Sequence, residues 1–128
     1  NETGKTLKEK TTRLAKVMVK EFLDLFDKKQ LQPIKQDEKF ATYEHQLTEK
    51  EIVLDLNKPK VDVYRHLRAL FPWTFPWVKV VRRYVKVDKY ELLDLPEELD
   101  DRRNYEIIEN NKNFLVLKGS DFLMKLLK

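Results

Sequence analysis

Apolar residues near the start of the chain recur with the period of an α-helix. Their spacings of three, four and seven residues place them on one helical face. Thr6 followed by Glu9 has the form of a capping box. The pattern predicts a helix over residues 6–27 with a packing face formed by Leu7, Leu14, Met18, Phe22 and Leu25.

A long polar connector and a second helix follow. Residues 28–57 have no sustained period and include Pro33, which indicates an extended connector between two lobes. The helical period returns from Asn57 to Leu70, with Asn57 as the expected N-cap and Pro72 as the expected stop. The predicted buried face of this second helix is formed by Val61, Tyr64, Leu67 and Leu70.

The period changes to two after Trp77, which is typical of β-strands. The predicted strands are Trp77–Val81, Tyr84–Leu93, Tyr105–Glu109, Phe114–Leu117 and Phe122–Leu127. Their connections are short, which favours antiparallel pairing. The sequence therefore predicts an α+β fold: an N-terminal helix, a long connector, a second helix, and then a small antiparallel OB-like open β-barrel. An exposed sheet edge at residues 122–127 would favour self-association.

Proline and tryptophan are concentrated in the segment FPWTFPW, residues 71–77, which contains both tryptophans of the chain. Pro72 and Pro76 make this segment unsuitable for a helix. We expect a corner at which Trp73 and Trp77 cover the junction between the second helix and the first strand of the barrel.

Composition excludes several kinds of chemistry. The chain of 128 residues has no cysteine and two histidines, His45 and His66, so it offers no thiolate and no histidine-rich metal site. Its only glycines, Gly4 and Gly119, cannot form a glycine-rich phosphate loop. The sequence contains no run of 18 apolar residues, so it predicts no membrane-spanning helix. We therefore assign no catalytic, cofactor-binding or metal-binding residues, and this chain alone is not expected to be an enzyme.

Charge is distributed unevenly along the chain. Residues 59–90 contain eight basic and two acidic side chains, a local charge of +6, whereas residues 91–104 contain six acids and two arginines. A basic block of this kind can neutralise phosphates. Lysine and valine alternate along the predicted strands within it, and Tyr84 and Tyr90 add stacking surface. The pattern favours nucleic-acid binding, although a solvated basic surface is the simpler alternative.

The region LQPIKQDEKFATYEHQLTEKEIVLDLNKPKVDVYRHLRALFPWTFPW, residues 31–77, resembles the linker and C-terminal-domain entry of methionyl-tRNA formyltransferases and their relatives. The matching elements occur in the family's order and spacing: Gln-Asp-Glu at 36–38, Ala-Thr-Tyr at 41–43, Leu-Thr at 47–48, Asp55, and Leu-Arg-Ala-Leu with Pro-Trp over 67–73. The sequence departs from the family at Leu56, where a tryptophan is usual, and at residues 74–76, where Thr-Phe-Pro replaces the usual Pro-Gly.

The resemblance implies a division of the chain into three parts. Residues 1–30 would be the last helix of a Rossmann-like formyltransferase domain, and residues 31–56 an extended linker. Residues 57–128 would be the C-terminal OB-like barrel domain with its entry helix. The family's catalytic Asn, His and Asp belong to the preceding domain and have no counterpart in this sequence, so the chain would be a non-catalytic fragment of a larger enzyme.

The implied function is to bind and position initiator tRNA. The parent enzyme would transfer a formyl group from 10-formyltetrahydrofolate to methionyl initiator tRNA, in translation initiation in the cytoplasm or an organellar matrix. Its other partner would be the missing catalytic domain. From position and charge, the expected tRNA-binding residues are Arg65, Arg68, Lys79, Arg82, Arg83 and Lys86; the family match itself extends only to Arg68.

Two other interpretations remain open. The same domain could serve packing or oligomerisation in a sugar-amine N-formyltransferase or another formyltetrahydrofolate-using relative. Alternatively, the chain could be a stand-alone small barrel that binds nucleic acid or protein. The sequence upstream of the chain would distinguish the three.

Overall fold

The structure is a computed structural model that describes residues 2–71 and 73–128. Within these residues it contains two α-helices, two short 3₁₀ turns and seven strands. Residues 5–46 form one compact unit, and residues 47–128 with the segment up to Gly4 form another. The three-part division expected from the family resemblance stays a prediction.

Helix α1 (Gly4–Asp27) confirms the first predicted helix but begins before Thr6, so Thr6 lies inside the helix and cannot be its N-cap. None of its residues is buried. Its apolar face is correspondingly exposed, with accessibilities from 51% to 64% for Leu7, Leu14, Val17, Met18, Val19, Phe22, Leu23 and Phe26. Within the described chain this face contributes to no hydrophobic core.

Helix α2 (Lys60–Leu70) is rotated relative to the predicted orientation. It buries Val63, Leu67 and Leu70, whereas Val61 and Tyr64 are 51% and 38% exposed. The sequence contains two overlapping apolar stripes: one includes Val61 and Tyr64, and the other includes Val63. The stripe with Val63 faces the core, because Val63, Leu67 and Leu70 follow one another at spacings of four and three residues.

The cap of α2 also differs from the prediction. The N-cap residue is Pro59, which has no side-chain donor or acceptor, and Asn57 instead bonds to Asp55. The backbone N–H of Lys60 donates to the carboxylate of Asp121 at 2.7 Å. A residue 61 positions away therefore satisfies one of the free N–H groups of the first turn.

A three-stranded sheet in the order β1-β2-β3 consists of β1 (Val53–Leu54), β2 (Trp77–Val80) and β3 (Arg83–Lys86). β2 and β3 form the predicted antiparallel hairpin. β1 lies in the segment predicted as connector and pairs parallel with β2. A two-residue strand has too little alternation to be recognised from sequence.

A four-stranded antiparallel sheet in the order β4-β7-β6-β5 forms the rest of the domain. Its strands are β4 (Lys89–Asp94), β5 (Ile107–Asn110), β6 (Phe114–Lys118) and β7 (Phe122–Leu127). The predicted strand at residues 84–93 is divided at Val87, which is fully buried and whose N–H donates to the carbonyl of Pro76. The chain passes there from one sheet to the other.

The prediction of an exposed edge at residues 122–127 is wrong. Strand β7 pairs with β4 on one side and with β6 on the other, so its backbone groups are satisfied within the sheet. The local sequence could not show this, because β4 is separated from β7 by β5 and β6. Self-association through that segment has no structural basis.

Both sheets and α2 contribute to one hydrophobic core. Its members include Leu54, Val63, Leu67, Val78, Val87, Leu117, Phe122 and Met124. The α+β class is confirmed. Among the described residues the strands form two separate sheets without a closed barrel, and the OB-like description stays a prediction.

The corner between α2 and β2 is only partly covered by its tryptophans. Trp73 is 52% exposed and Trp77 is intermediate, whereas Pro76 and Val78 are buried. Helix α2 ends at Leu70 with Phe71 as C-cap, and Phe71 packs against both Phe75 and Tyr90. The predicted role of Pro72 lies outside the described residues.

The hairpin turn between β2 and β3 holds Val81 in a strained conformation. Val81 has φ of 56° and is 72% exposed. A β-branched residue is disfavoured in the left-handed region, whereas asparagine tolerates it. We expect Val81→Asn to raise the free energy of unfolding by about 0.5–1.5 kcal/mol in denaturant titrations. The same change at Val61, which is exposed and has no positive φ, is the control, and destabilisation by Val81→Asn would contradict this account.

Candidate nucleic-acid interface

The β2–β3 hairpin presents a basic face to solvent. Lys79 pairs with Tyr84 across the two strands, and Trp77 pairs with Lys86. Side chains of directly paired residues lie on the same face of a sheet. Val78 and Val85, which pair with each other, face the opposite way, and Val78 is fully buried. The alternation seen in the sequence therefore places Lys79, Tyr84 and Lys86 on one face and Val78 and Val85 on the other. Arg83 pairs with the buried Val80 on this second face, but it lies next to the turn and is exposed.

Three of the predicted site residues are exposed cations that have no side-chain partner among the described residues. Lys79, Arg82 and Arg83 are exposed, and no hydrogen bond or ion pair occupies their side-chain charges within residues 2–71 and 73–128. Arg82 lies in the turn itself, and Arg83 begins β3. With Tyr84, which is 57% exposed, they form the tip of the hairpin. We call Lys79, Arg82 and Arg83 the hairpin cations.

Lys86 lies on the same hairpin but has internal partners. Its ammonium is 2.9 Å from the carboxylate of Asp88 and 3.5 Å from the ring centroid of Phe75. The ion pair is exposed and contributes little to stability. It does reduce the charge that Lys86 can offer to a phosphate.

Arg65 and Arg68 lie on α2, and both are bonded to neighbouring groups. Arg65 forms an ion pair with Asp62 at 3.0 Å. Arg68 donates two hydrogen bonds to the carbonyl of Glu2, and its guanidinium lies 5.3 Å from the centre of the Tyr64 ring. The structure thus places four of the six predicted residues on one hairpin, and it shows local partners on or near α2 for each of the other two.

The structure contains a polar cluster beside the hairpin that was not predicted from the sequence. The hydroxyl of Tyr105 accepts from the N–H of Leu56 at 2.8 Å and donates to Asp55 Oδ1 at 3.0 Å. Asn57 donates to the same oxygen from its backbone N–H and from its side chain. Tyr105 has φ of 67°, and its backbone N–H donates to the carbonyl of Lys118 at the end of β6. No local pattern signals this cluster, because Asp55 and Tyr105 are 50 positions apart.

The cluster keeps Asp55 ionised and Tyr105 protonated. The hydrogen bond from the Asn57 N–H is the main cause that lowers the pKa of Asp55, with further contributions from Tyr105 and Lys58, while burial opposes them. Burial is also the main cause that raises the pKa of Tyr105 above its ordinary value. The two shifts agree, since the tyrosine hydroxyl is a donor only while it carries its proton.

The lowered pKa of Asp55 predicts a pH dependence of stability. Because the pKa in the folded state lies below the 3.8 of an unperturbed carboxyl, the unfolded chain binds the proton first as the pH falls. The stabilisation is therefore complete above that value and is lost as the pH falls through the folded-state pKa. We expect the difference in unfolding free energy between the wild type and Asp55→Asn to shrink between about pH 5 and pH 2. A constant difference over this range would contradict the assignment.

Other chemistry is sparse in the described residues. They include no group of three or more His, Asp or Glu side chains that could hold a metal ion. His66 Nε2 lies 2.7 Å from the carbonyl oxygen of Glu51 and joins α2 to the segment before β1. No helix in the described part of the chain is long and apolar enough to cross a membrane.

Comparison with known proteins confirms the family resemblance. No family model matches the chain. Curated methionyl-tRNA formyltransferases do match, including that of Natranaerobius thermophilus at 29% identity over 128 residues. That of a Geobacillus species is 26% identical over 125 residues, and that of Francisella tularensis is 25% identical over 124. These matches cover 97–98% of this chain, which corresponds to the C-terminal part of each relative. The chain spans about two-fifths of the length of these relatives, 38–41%.

Proposed function

We propose that this chain is the tRNA-binding part of a methionyl-tRNA formyltransferase. The observation that carries the proposal is the β2–β3 hairpin, where the hairpin cations and Tyr84 are exposed on two paired strands and the turn between them. Such an arrangement binds a phosphate backbone through its cations and an unpaired base through its ring. The names of the relatives support tRNA as the nucleic acid.

In the proposed enzyme, the chemistry belongs to another domain. A formyl group would pass from 10-formyltetrahydrofolate to the amino group of methionine on initiator tRNA. The residues of this chain would hold the tRNA during the transfer. Initiator tRNA and the catalytic domain are therefore the proposed partners, and the cytoplasm or an organellar matrix is the proposed location.

The exposed apolar face of α1 indicates that this helix packs against another domain. Eight large apolar side chains of this helix are more than half exposed, and burying the remaining exposed surface of each would contribute about 1–1.5 kcal/mol. We propose that this face packs against the catalytic domain of the parent enzyme. It lies outside the unit that contains the hairpin, so the tRNA role does not depend on it.

A titration of the chain with tRNA at several salt concentrations tests the function. If the three hairpin cations each neutralise one phosphate, log Kd should rise with log salt with a slope of about 2–2.7, from the coefficients of single strands and of duplexes. A fourfold increase in salt should then weaken binding by roughly 20- to 40-fold. Absent affinity, or affinity that does not depend on salt, would refute the tRNA role.

A further inference from the structure

A groove lies beside the hairpin cations on the three-stranded sheet. It has a volume of about 520 Å³ and is lined by Val53, Leu54, Asp55, Lys79, Val81 and Tyr105. The parallel register between β1 and β2 pairs Leu54 with Val78, so its continuation places Asp55 beside Lys79. Lys79 in turn pairs with Tyr84. A carboxylate, an ammonium and an aromatic ring thus form one row across the sheet.

The carboxylate in this row has one oxygen available for a ligand. All three hydrogen bonds to the Asp55 side chain end on Oδ1, from Asn57 N, Asn57 Nδ2 and the Tyr105 hydroxyl. No donor of the described chain bonds to Oδ2. The fixed Oδ1 prevents the side chain from rotating, so Oδ2 is a pre-organised acceptor.

The ammonium in the row is also available. Lys79 and Asp55 line the same groove, yet no ion pair joins them in the described part of the chain, where Lys58 is the charged neighbour that acts on Asp55. The groove therefore presents an acceptor and a cation as separate points. A bare polyanion would be repelled by the carboxylate, whereas a ligand that brings both a donor and a phosphate satisfies both groups.

We propose that this groove holds one ribonucleotide of a bound RNA strand, with Asp55 Oδ2 accepting from the ribose 2′-hydroxyl and Lys79 binding the adjacent phosphate. Tyr84 supplies a stacking surface for a base next to it. The 2′-hydroxyl is the group by which a protein distinguishes RNA from DNA. The inference rests on the proposed function and adds to it a subsite that selects RNA.

The test compares three single-stranded oligonucleotides of one adenine–cytosine sequence: RNA, the 2′-deoxy form and the 2′-O-methyl form. Only the 2′ substituent differs among them. Fluorescence anisotropy should show that the wild-type chain binds RNA about tenfold more tightly than either analogue, as expected for a hydrogen bond to a charged acceptor. This comparison needs no variant and so does not depend on how a substitution folds.

Two variants then locate the discrimination. Asp55→Ala removes both carboxylate oxygens and leaves no side-chain donor or acceptor for the 2′-hydroxyl, so it should reduce the RNA preference to about onefold. Asp88→Asn removes the same charge from the segment after β3, so it should strengthen binding of all three oligonucleotides and keep the preference. Melting curves confirm that both variants fold.

The outcomes separate the subsite from the function. Equal affinity of the wild type for all three oligonucleotides, together with salt-dependent tRNA binding, would overturn the subsite and leave the proposed function intact. An RNA preference that persists in folded Asp55→Ala would also overturn it. Absence of binding to every oligonucleotide and to tRNA would overturn both.

Discussion

Replacing Phe122 with alanine is expected to lower the free energy of unfolding of the C-terminal unit by about 3–5 kcal/mol. Phe122 is fully buried at the start of β7 and belongs to the core shared by both sheets and α2. Truncation removes its apolar contacts and leaves a cavity that the sheets cannot close. Tryptophan fluorescence during denaturant titration is the appropriate measurement, because Trp73 and Trp77 both lie in this unit.

Gly119 provides a matched test of the same packing. A Cβ placed on Gly119 would overlap Cε1 of the Phe122 ring. Gly119→Ala should therefore destabilise the wild type by about 1–3 kcal/mol through overpacking, and this cost should largely disappear in the Phe122→Ala background. Leu93→Ala, on the partly exposed face of β4, is the control for strand truncation. A Phe122→Ala cost similar to that of Leu93→Ala would contradict the described core.

Neutralising the hairpin cations should produce the largest functional effect. The triple variant Lys79→Gln, Arg82→Gln, Arg83→Gln is expected to weaken tRNA binding on the order of 100-fold at about 100 mM salt. All three side chains are exposed and lack internal ion pairs in the described chain, so stability should change little. Filter binding or anisotropy with tRNA measures the affinity, and melting curves measure the stability.

A charge-matched control distinguishes local contacts from net charge. Arg102→Gln, Lys112→Gln and Lys128→Gln remove the same three charges from the same unit but outside the hairpin. This control should weaken binding less than about tenfold. Equal losses in the two triple variants would mean that the chain attracts tRNA through its overall charge and not through the hairpin.

The features predicted from sequence are those with a local period. The stripe of α1, the alternation of Trp77–Val80 and the strand β7 each arise from neighbouring residues. The hairpin cations are predictable for the same reason, since a two-residue turn between alternating strands brings Lys79 and Arg83 to one end. The α2 stripe was ambiguous because two apolar sets overlap in it, and tertiary contact selected Val63.

The features that sequence could not show depend on distant partners. Asp121 caps α2 from the β6–β7 turn, and Tyr105 organises Asp55 from a loop 50 residues later. The two-residue strand β1 exists only because β2 pairs with it. Strand β7 is central because it pairs with β4 as well as with β6, and β4 lies before the whole β5–β6 segment in the chain. Contacts between residues far apart in the chain do not produce a periodic pattern in the sequence.

The salt dependence of tRNA affinity, compared between the wild type and the hairpin triple variant, tests the central claim most directly. We predict that log Kd rises with log salt with a slope of about 2–2.7 for the wild type and below about 1 for the variant. Equal slopes for the two proteins would contradict the claim that the β2–β3 hairpin binds the phosphate backbone of tRNA.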